Sequence, residues 1–274
     1  MYKLIGSIVI YNTKFEEIRP LLEEFYKQNI NQKLVIIDNS NTGYLKDDIF
    51  LLNNDIDYII SENIGYGRAN NIAAQKYEGL AEYFLIMNPD IFINFEDLEE
   101  IINYAERKKE FGIIMPKIIY PDGENQYSCK LLPKPQNLFF RRFFRKFSFT
   151  KKLDYDYEFK FFDYNTEIEV PVFSGCFLFC KYRNLIEAKM FDERYFMYLE
   201  DVDLSRRMFK YGNYFFPEVK IIHNFNKSSF KSFKMTLKHI ESAVKYFNKW
   251  GWFSDEERKK INHEILIKYK KGRV

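Results

Sequence analysis

Four short apolar runs, each ending in polar residues, alternate with stretches of helical spacing over the first 108 residues. The runs are "LIGSIVIY", "KLVIIDNS", "IDYIISEN" and "EYFLIMNPD". Between and after them come "TKFEEIRPLLEEFYKQ", with a threonine able to cap it, "IGYGRANNIAAQKY" after a glycine turn, and "FEDLEEIINYAERK". Strands alternating with helices restrict the chain to an α/β fold, a mostly parallel sheet with helices on its faces. The strand ends are Tyr11-Asn12, Asp38-Asn39-Ser40, Glu62-Asn63 and Asn88-Pro89-Asp90. Ligands of open α/β sheets bind in the crevice outside the carboxyl ends of the strands, so these clusters outline one site.

The second half is less regular. "GIIMPKIIYPDG" reads as a strand and turn, "VPVFSGCFLFCK" as one strand, and "FDERYFMYLEDVDLSRRMFKYG" as a loop running into a helix. "NYFFPEVKIIHN" is a further strand, and residues 233–270 read as two helices broken at Gly251. No internal repeat or low-complexity linker divides the chain.

Of 274 residues, 46% are hydrophobic and 19% aromatic, enough to bury a substantial core. A net charge of +3 argues against a dedicated nucleic-acid binder. The charge is unevenly spread. Residues 137–152, "NLFFRRFFRKFSFTKK", hold six Lys/Arg, six Phe and no acid. From Asn224 onward thirteen Lys/Arg face five Asp/Glu. No apolar run reaches the length of a membrane span, and no basic leader opens the chain, so a cytoplasmic protein is expected. Cys129, Cys176 and Cys180 are expected to be reduced and buried, since Cys176 and Cys180 have no further ligand candidates nearby.

Proline cannot donate a ladder hydrogen bond, so the fourth strand should stop at Asn88-Pro89. Asp90 then lies beside an apolar strand end, where an unpaired carboxylate is costly unless something cationic meets it. "GYGRAN" lacks the third glycine of a dinucleotide-binding fingerprint and follows the third strand, which argues against a Rossmann oxidoreductase. Backbone N–H groups at that helix start, with Arg68, suit phosphate oxygens. Glu200, Asp201 and Asp203 lie within four residues among Phe196, Met197, Tyr198 and Leu199. Carboxylates at a helix N-terminus complement its dipole, but apolar surroundings also raise a carboxylate pKa toward general-base usefulness. His223 closes the last strand and reads either as a hydrogen-bonded core residue or as a ligand.

At this point the sequence resembles a known family. "IVIYN", "VIIDNS", "ENIGYGRANN", "FLIMNPD", "SGCFLF", "FDERYFMYLEDVDLSRRM" and "IIHNFNKSS" occur in the order seen in family-2 glycosyltransferases of the GT-A fold, over roughly residues 4–230. The nearest branch looks like the bacterial rhamnosyltransferases of cell-surface polysaccharides. The resemblance implies a GT-A domain over 1–230, with a nucleotide-sugar-binding half at 1–115 and an acceptor half at 116–230, followed by a helical extension at 231–274. It implies a divalent cation, Mg²⁺ or Mn²⁺, held against the donor diphosphate by Asp90 and His223, with Asn88 where the family usually has a carboxylate. It further implies Asp201 as the catalytic base of an inverting transfer and Glu200 as the group orienting the acceptor. By the same resemblance Tyr11, Asn12 and Asp38 line the base pocket, and Asn63, Gly65, Arg68 and Asn71 sit near the diphosphate. Ser174, Gly175 and Tyr198 join Glu200 on the acceptor side. The donor it favours is dTDP-rhamnose, with UDP-hexoses as the alternative; the acceptor it implies is a glycan or lipid-linked glycan precursor. It leaves room for a homodimer.

The basic-aromatic segment reads either as an ordinary amphipathic helix or as a patch that docks on an anionic bilayer, and both can hold together. Two rival functions remain: a catalytically silent GT-A domain that only binds glycan or partner, and a nucleotidyltransferase. The latter should carry a basic glycine-rich loop after the first strand, which "IVIYNTKFEEIRP" lacks.

Overall fold

The computed structural model describes residues 1–27, 30–143, 148–224 and 233–270. The first half runs β1 (Tyr2–Ile10), α1 (Phe15–Phe25), β2 (Gln32–Asp38), α2 (Lys46–Leu52), β3 (Asp57–Ile60), α3 (Tyr66–Lys76), β4 (Ala81–Met87), β5 (Ile91–Phe92) and α4 (Phe95–Lys108). It continues with β6 (Ile113–Ile119), β7 (Cys129–Lys130), α5 (Pro135–Phe143), α6 (Ser148–Tyr157), β8 (Ile168–Glu169), β9 (Val172–Phe173), β10 (Phe177–Lys181) and α7 (Tyr182–Glu187). Last come α8 (Glu200–Met208), β11 (Asn213–His223), α9 (Phe233–Trp250) and α10 (Glu256–Lys270).

The main sheet has the order β3-β2-β1-β4-β10-β6-β11-β5, with β8 also paired to β11. β3, β2, β1 and β4 are mutually parallel, and β6 pairs parallel with β11. β10 runs antiparallel between β4 and β6, so the sheet is mixed with a mostly parallel core. The central strands are buried on both faces, as Leu4, Ile5, Ile8, Ile36, Leu85 and Ile86 show. Local chemistry sets the helix ends. The α4 N-terminus has Asn94 as cap, its N–H donating to Asp97 Oδ2 at 3.3 Å, with Arg107 and Lys108 in the last turn to complement the dipole.

Besides the short elements β5, β7, β8 and α7, which the sequence reading does not single out, the structure departs from expectation in three places. Residues 170–181 form two strands, β9 and β10, because Ser174-Gly175-Cys176 turns between them. Helix α2 was not signalled, being short and poor in periodic apolar residues. Thr13 does not cap α1; Lys14 stands at the cap and its N–H donates to Glu17. The two helices after residue 232, broken at Gly251, are present as expected.

α9 and α10 fold back on α8 and α5. Tyr246 and Phe247 join Leu132, Leu138, Leu199 and Val202 in a second apolar cluster. Asn262 of α10 makes both hydrogen bonds of a backbone-like pair with Leu132, each 2.9 Å. All three cysteines are free and buried. No described helix is long and apolar enough to cross a membrane. Residues 144–147, the side chains around Arg141 to Phe149, and residues 225–232 lie outside the described residues, so the bilayer-facing arrangement expected of the basic-aromatic segment falls there.

Candidate active site

The strand order gathers the polar strand ends. β4 stops at Met87, and the Asn88 N–H donates to the Cys176 carbonyl at 2.9 Å, tying it to the turn before β10. Past Pro89 the chain turns into β5, which pairs antiparallel with the end of β11, Ile91 against His223. That pairing sets Asp90 beside His223, Oδ1 3.3 Å from Nε2. This answers what Asp90 meets across 133 residues of sequence. Gln126, which no motif signalled, fixes the ring: its Nε2 donates to the His223 carbonyl at 2.8 Å, leaving Oε1 2.9 Å from Nδ1. The network therefore assigns a proton to Nδ1 and aims Nε2 at Asp90 and at Asn88, whose Nδ2 is 3.4 Å away. Burial opposes a charge on this ring, yet Asp90 and Cys176 outweigh it and push its pKa up to about 10. Imidazole and carboxylate thus share a proton in a position where a cation would serve equally.

The donor set fits a divalent cation. Asp90 Oδ1 is buried and its contact with the His223 imidazole is long, at 3.3 Å, and a carboxylate oxygen with an imidazole nitrogen suits Mg²⁺ or Mn²⁺. Among the described residues no group of three or more His, Cys, Asp or Glu converges.

The acidic cluster divides in two. Asp203 is fully buried and accepts from Arg207 Nε at 2.8 Å, Trp250 Nε1 at 2.7 Å and Lys249 Nζ at 2.7 Å. Arg206 grips Asp255 at 2.6 and 2.8 Å and Glu257 at 2.6 Å, with its guanidinium 4.1 Å from the Trp250 ring centre. These contacts brace α8 against the C-terminal helices. Glu200 and Asp201 instead open into a cleft of about 410 Å³, together with Tyr66, Asn88, Gly175, Tyr198 and His223. Ser174 also lines it. Tyr198 and Leu199 just before α8 both have left-handed backbones, φ 70 and 64. Such strain in non-glycine residues is held only by surrounding structure, and here it aims the helix start at the cleft.

Glu200 is buried with Oε2 unpartnered, and burial plus the neighbouring Asp201 carboxylate push its pKa up to about 8. It is therefore mostly protonated at neutral pH. Asp201 Oδ2 accepts the Gly175 N–H at 2.9 Å, and the Gly175 carbonyl accepts the Tyr66 hydroxyl at 2.9 Å. A Cβ at Gly175 would lie 3.0 Å from Asp201 Cβ, so glycine sets how closely the carboxylate approaches this peptide.

The remaining predicted site residues are not among those that line this cleft. Asp38 is fully buried and accepts from Ser40 N–H, Gly43 N–H and the Tyr58 hydroxyl at 2.8–2.9 Å, shaping the loop after β2. Tyr11 is exposed, and Asn12, with a left-handed backbone, donates its N–H to Ser40 Oγ at 2.9 Å. Asn63 accepts from Gly65 N–H at 3.4 Å. A Cβ at Gly65, φ 91, would meet the Phe196 carbonyl oxygen at 2.2 Å, so glycine joins α3 to the loop before α8. Arg68 pairs with Glu193 at 3.3 Å. Asn71 does not line the cleft; its amide is occupied by the Phe191 backbone at 2.9 and 3.0 Å.

A mixed sheet whose strand ends bring a carboxylate–imidazole pair and an acid pair to one crevice has the form of a GT-A sugar-nucleotide transferase. Residues 7–175 match the family described as glycosyl transferase family 2, and the chain belongs to that family. It is a glycosyltransferase. It is 27% identical over 257 residues to the rhamnosyltransferase WbbL of Escherichia coli K12, covering 89% of this chain and 92% of that one. It is 26% identical over 182 residues to the N-acetylglucosaminyl-diphospho-decaprenol L-rhamnosyltransferase of Mycobacterium tuberculosis, covering 59% of this chain and 56% of that one. Among solved structures, GalNAc-T7 with UDP, GalNAc and Mn²⁺ superposes with a TM-score of 0.60 at 14% identity, covering 83% of this chain and 44% of that chain.

Proposed function

We propose that this glycosyltransferase moves L-rhamnose from dTDP-rhamnose to a hydroxyl of a lipid-linked or cell-surface glycan precursor, with inversion at the anomeric carbon. The observation that carries the reading is the meeting of Glu200 and Asp201 with Asn88 and His223 in one cleft at the strand ends. Likeness to two rhamnosyltransferases supports the sugar. Asp201 takes the proton from the acceptor hydroxyl as that oxygen attacks, and a single in-line displacement leaves no covalent intermediate. Glu200, protonated at neutral pH, donates a hydrogen bond that orients the acceptor. Asp90 and His223 would hold Mg²⁺ or Mn²⁺, which when bound neutralises charge on the departing diphosphate. The loops after β1 and β2, with Tyr11, Asn12 and the Asp38-shaped turn, border the base; Gly65 and Arg68 lie toward the diphosphate. The basic-aromatic segment supports work on the cytoplasmic face of an anionic membrane.

A panel of nucleotide sugars tests this reading by metal-dependent thermal stabilisation and slow donor hydrolysis. dTDP-rhamnose should stabilise most and be hydrolysed only with a divalent cation. Preference for a UDP-hexose would replace the donor. Stabilisation without hydrolysis or transfer would make the domain a silent binder.

A further inference from the structure

Asp201 accepts two backbone N–H groups, and they differ in kind. Val202 N–H donates to Oδ1 at 2.9 Å from the next residue of the same helix, so it turns with the carboxylate and fixes nothing beyond α8. Gly175 N–H donates to Oδ2 at 2.9 Å from the turn between β9 and β10, 26 residues away in the chain. Of the two, only the second ties the carboxylate to another element, so its aim depends on how firmly residue 175 is held.

Glycine has the freest backbone of any residue, and this one is held from outside. On its N-terminal side Ser174 N–H donates to the Ser128 carbonyl at 3.0 Å. On its C-terminal side the Gly175 carbonyl accepts the Tyr66 hydroxyl at 2.9 Å. Tyr66 is anchored in turn. It opens α3, its N–H donates to the Phe196 carbonyl at 3.1 Å in the loop before α8, and its ring meets Phe191 edge-on at 6.2 Å between centres. One turn on, Asn70 Nδ2 donates to the Tyr66 carbonyl at 3.0 Å, and Asn70 Oδ1 accepts the buried Ser7 hydroxyl of β1 at 2.7 Å. A path of hydrogen bonds therefore runs from a central strand through α3 to the carboxylate. Burial first, and then its neighbours Cys176, Glu200 and Asp201, push the Tyr66 pKa well above the usual value, so the hydroxyl is a donor at every working pH. Phenylalanine would fill the same space, so the contact with Gly175 uses the hydroxyl and not the ring.

The geometry points to Tyr66 as a positioning residue for the base: its hydroxyl fixes the peptide that follows Gly175, and through Gly175 N–H it sets where the Asp201 carboxylate points. This rests on reading Asp201 as the base of a glycosyltransferase. Because α3 also carries Arg68, one helix borders the diphosphate and sets the base.

Tyr66→Phe removes the hydroxyl and keeps the ring. Hydrolysis of dTDP-rhamnose with water as acceptor, or of UDP-glucose should the donor panel select a UDP-hexose, tests it in the full chain. Affinity for the matching nucleoside diphosphate is read by calorimetry, and all assays run below the melting temperature of each variant. In Tyr66→Phe kcat should fall by about ten- to a hundredfold, the scale on which a small misplacement of a reacting group slows a reaction. KM and the nucleotide affinity should stay within about twofold. In an Asp201→Asn background the same substitution should cost nothing further, since the group it positions no longer takes the proton. Wild-type kcat in Tyr66→Phe, beside a slow Asp201→Asn, would overturn the inference alone. A raised KM at unchanged kcat would overturn it too, because Tyr66 would then be a substrate contact. So would an equal fold-loss in the Asp201→Asn background, since Tyr66 would act independently of the carboxylate. Near wild-type turnover of Asp201→Asn would remove the base reading itself, and this inference with it.

Discussion

Glu200→Gln separates the two carboxylates at the start of α8. In the folded chain Glu200 ionises near pH 8, against 4.5 ordinarily, first because it is buried and then because Asp201 repels its charge. Below about pH 4.5 folded and unfolded chains both hold the proton and no difference arises. Between 4.5 and 8 the unfolded chain releases it and the folded chain keeps it, so raising the pH favours unfolding. Above 8 both are ionised and the slope vanishes. The limiting slope for one group is about 1.4 kcal/mol per pH unit. At about 2–4 °C per kcal/mol for a chain of this size, the melting temperature should lose a few degrees per pH unit across that window. Glutamine carries no titrating proton, so the variant should lack this component and gain on the wild type from pH 5 to pH 8. Thermal melts of both proteins across pH 5–9 measure it. Parallel curves would refute the argument. Activity gives a second reading: glutamine still donates a hydrogen bond, so Glu200→Gln should keep transfer within about tenfold at pH 7, well short of the loss of a general base. A loss as deep as that of Asp201→Asn would move the proton transfer to Glu200.

Asp201→Asn should lower transfer by about 10²–10⁴-fold with donor binding nearly intact, read as kcat against KM; near wild-type turnover at neutral pH would exclude Asp201 as the base. Asp90→Ala should weaken nucleotide-diphosphate and Mn²⁺ binding together in calorimetry, and wild-type affinity that is the same with and without cation would remove the metal role. Gly175→Ala should reduce kcat while moving the melting temperature little, because its Cβ would press on Asp201 Cβ at 3.0 Å; full activity would show that the carboxylate has room to shift. Replacing Arg141, Arg142, Arg145 and Lys146 with Gln should cut binding to anionic vesicles by orders of magnitude at low salt, at about 1 kcal/mol per residue, and spare donor hydrolysis. Wild-type protein that ignores such vesicles would make the segment an internal element.

The sequence by itself determined the α/β class, because apolar runs of strand length between helical periods leave few ways to bury both. It also marked the polar strand ends, a local signal that survives without knowing which strands pair; of these Asn88 lines the cleft. Its motifs pointed to family 2 and singled out Asp90, Glu200, Asp201 and His223. Tertiary structure decided which of the polar side chains face the cleft. Three acids within four residues look alike in sequence, but the helix turn sends Asp203 inward to Arg207, Lys249 and Trp250 and leaves Glu200 and Asp201 facing the cleft. Asn71 and Asp38, polar and suitably placed along the chain, are engaged by backbone and hydroxyl groups that only folding brings to them. Gln126 stands in a loop with no motif and acquires its role only because β11 carries His223 to it. Periodicity is local and readable, whereas a side chain's partner depends on strand pairing and long-range packing, which no window of the sequence contains.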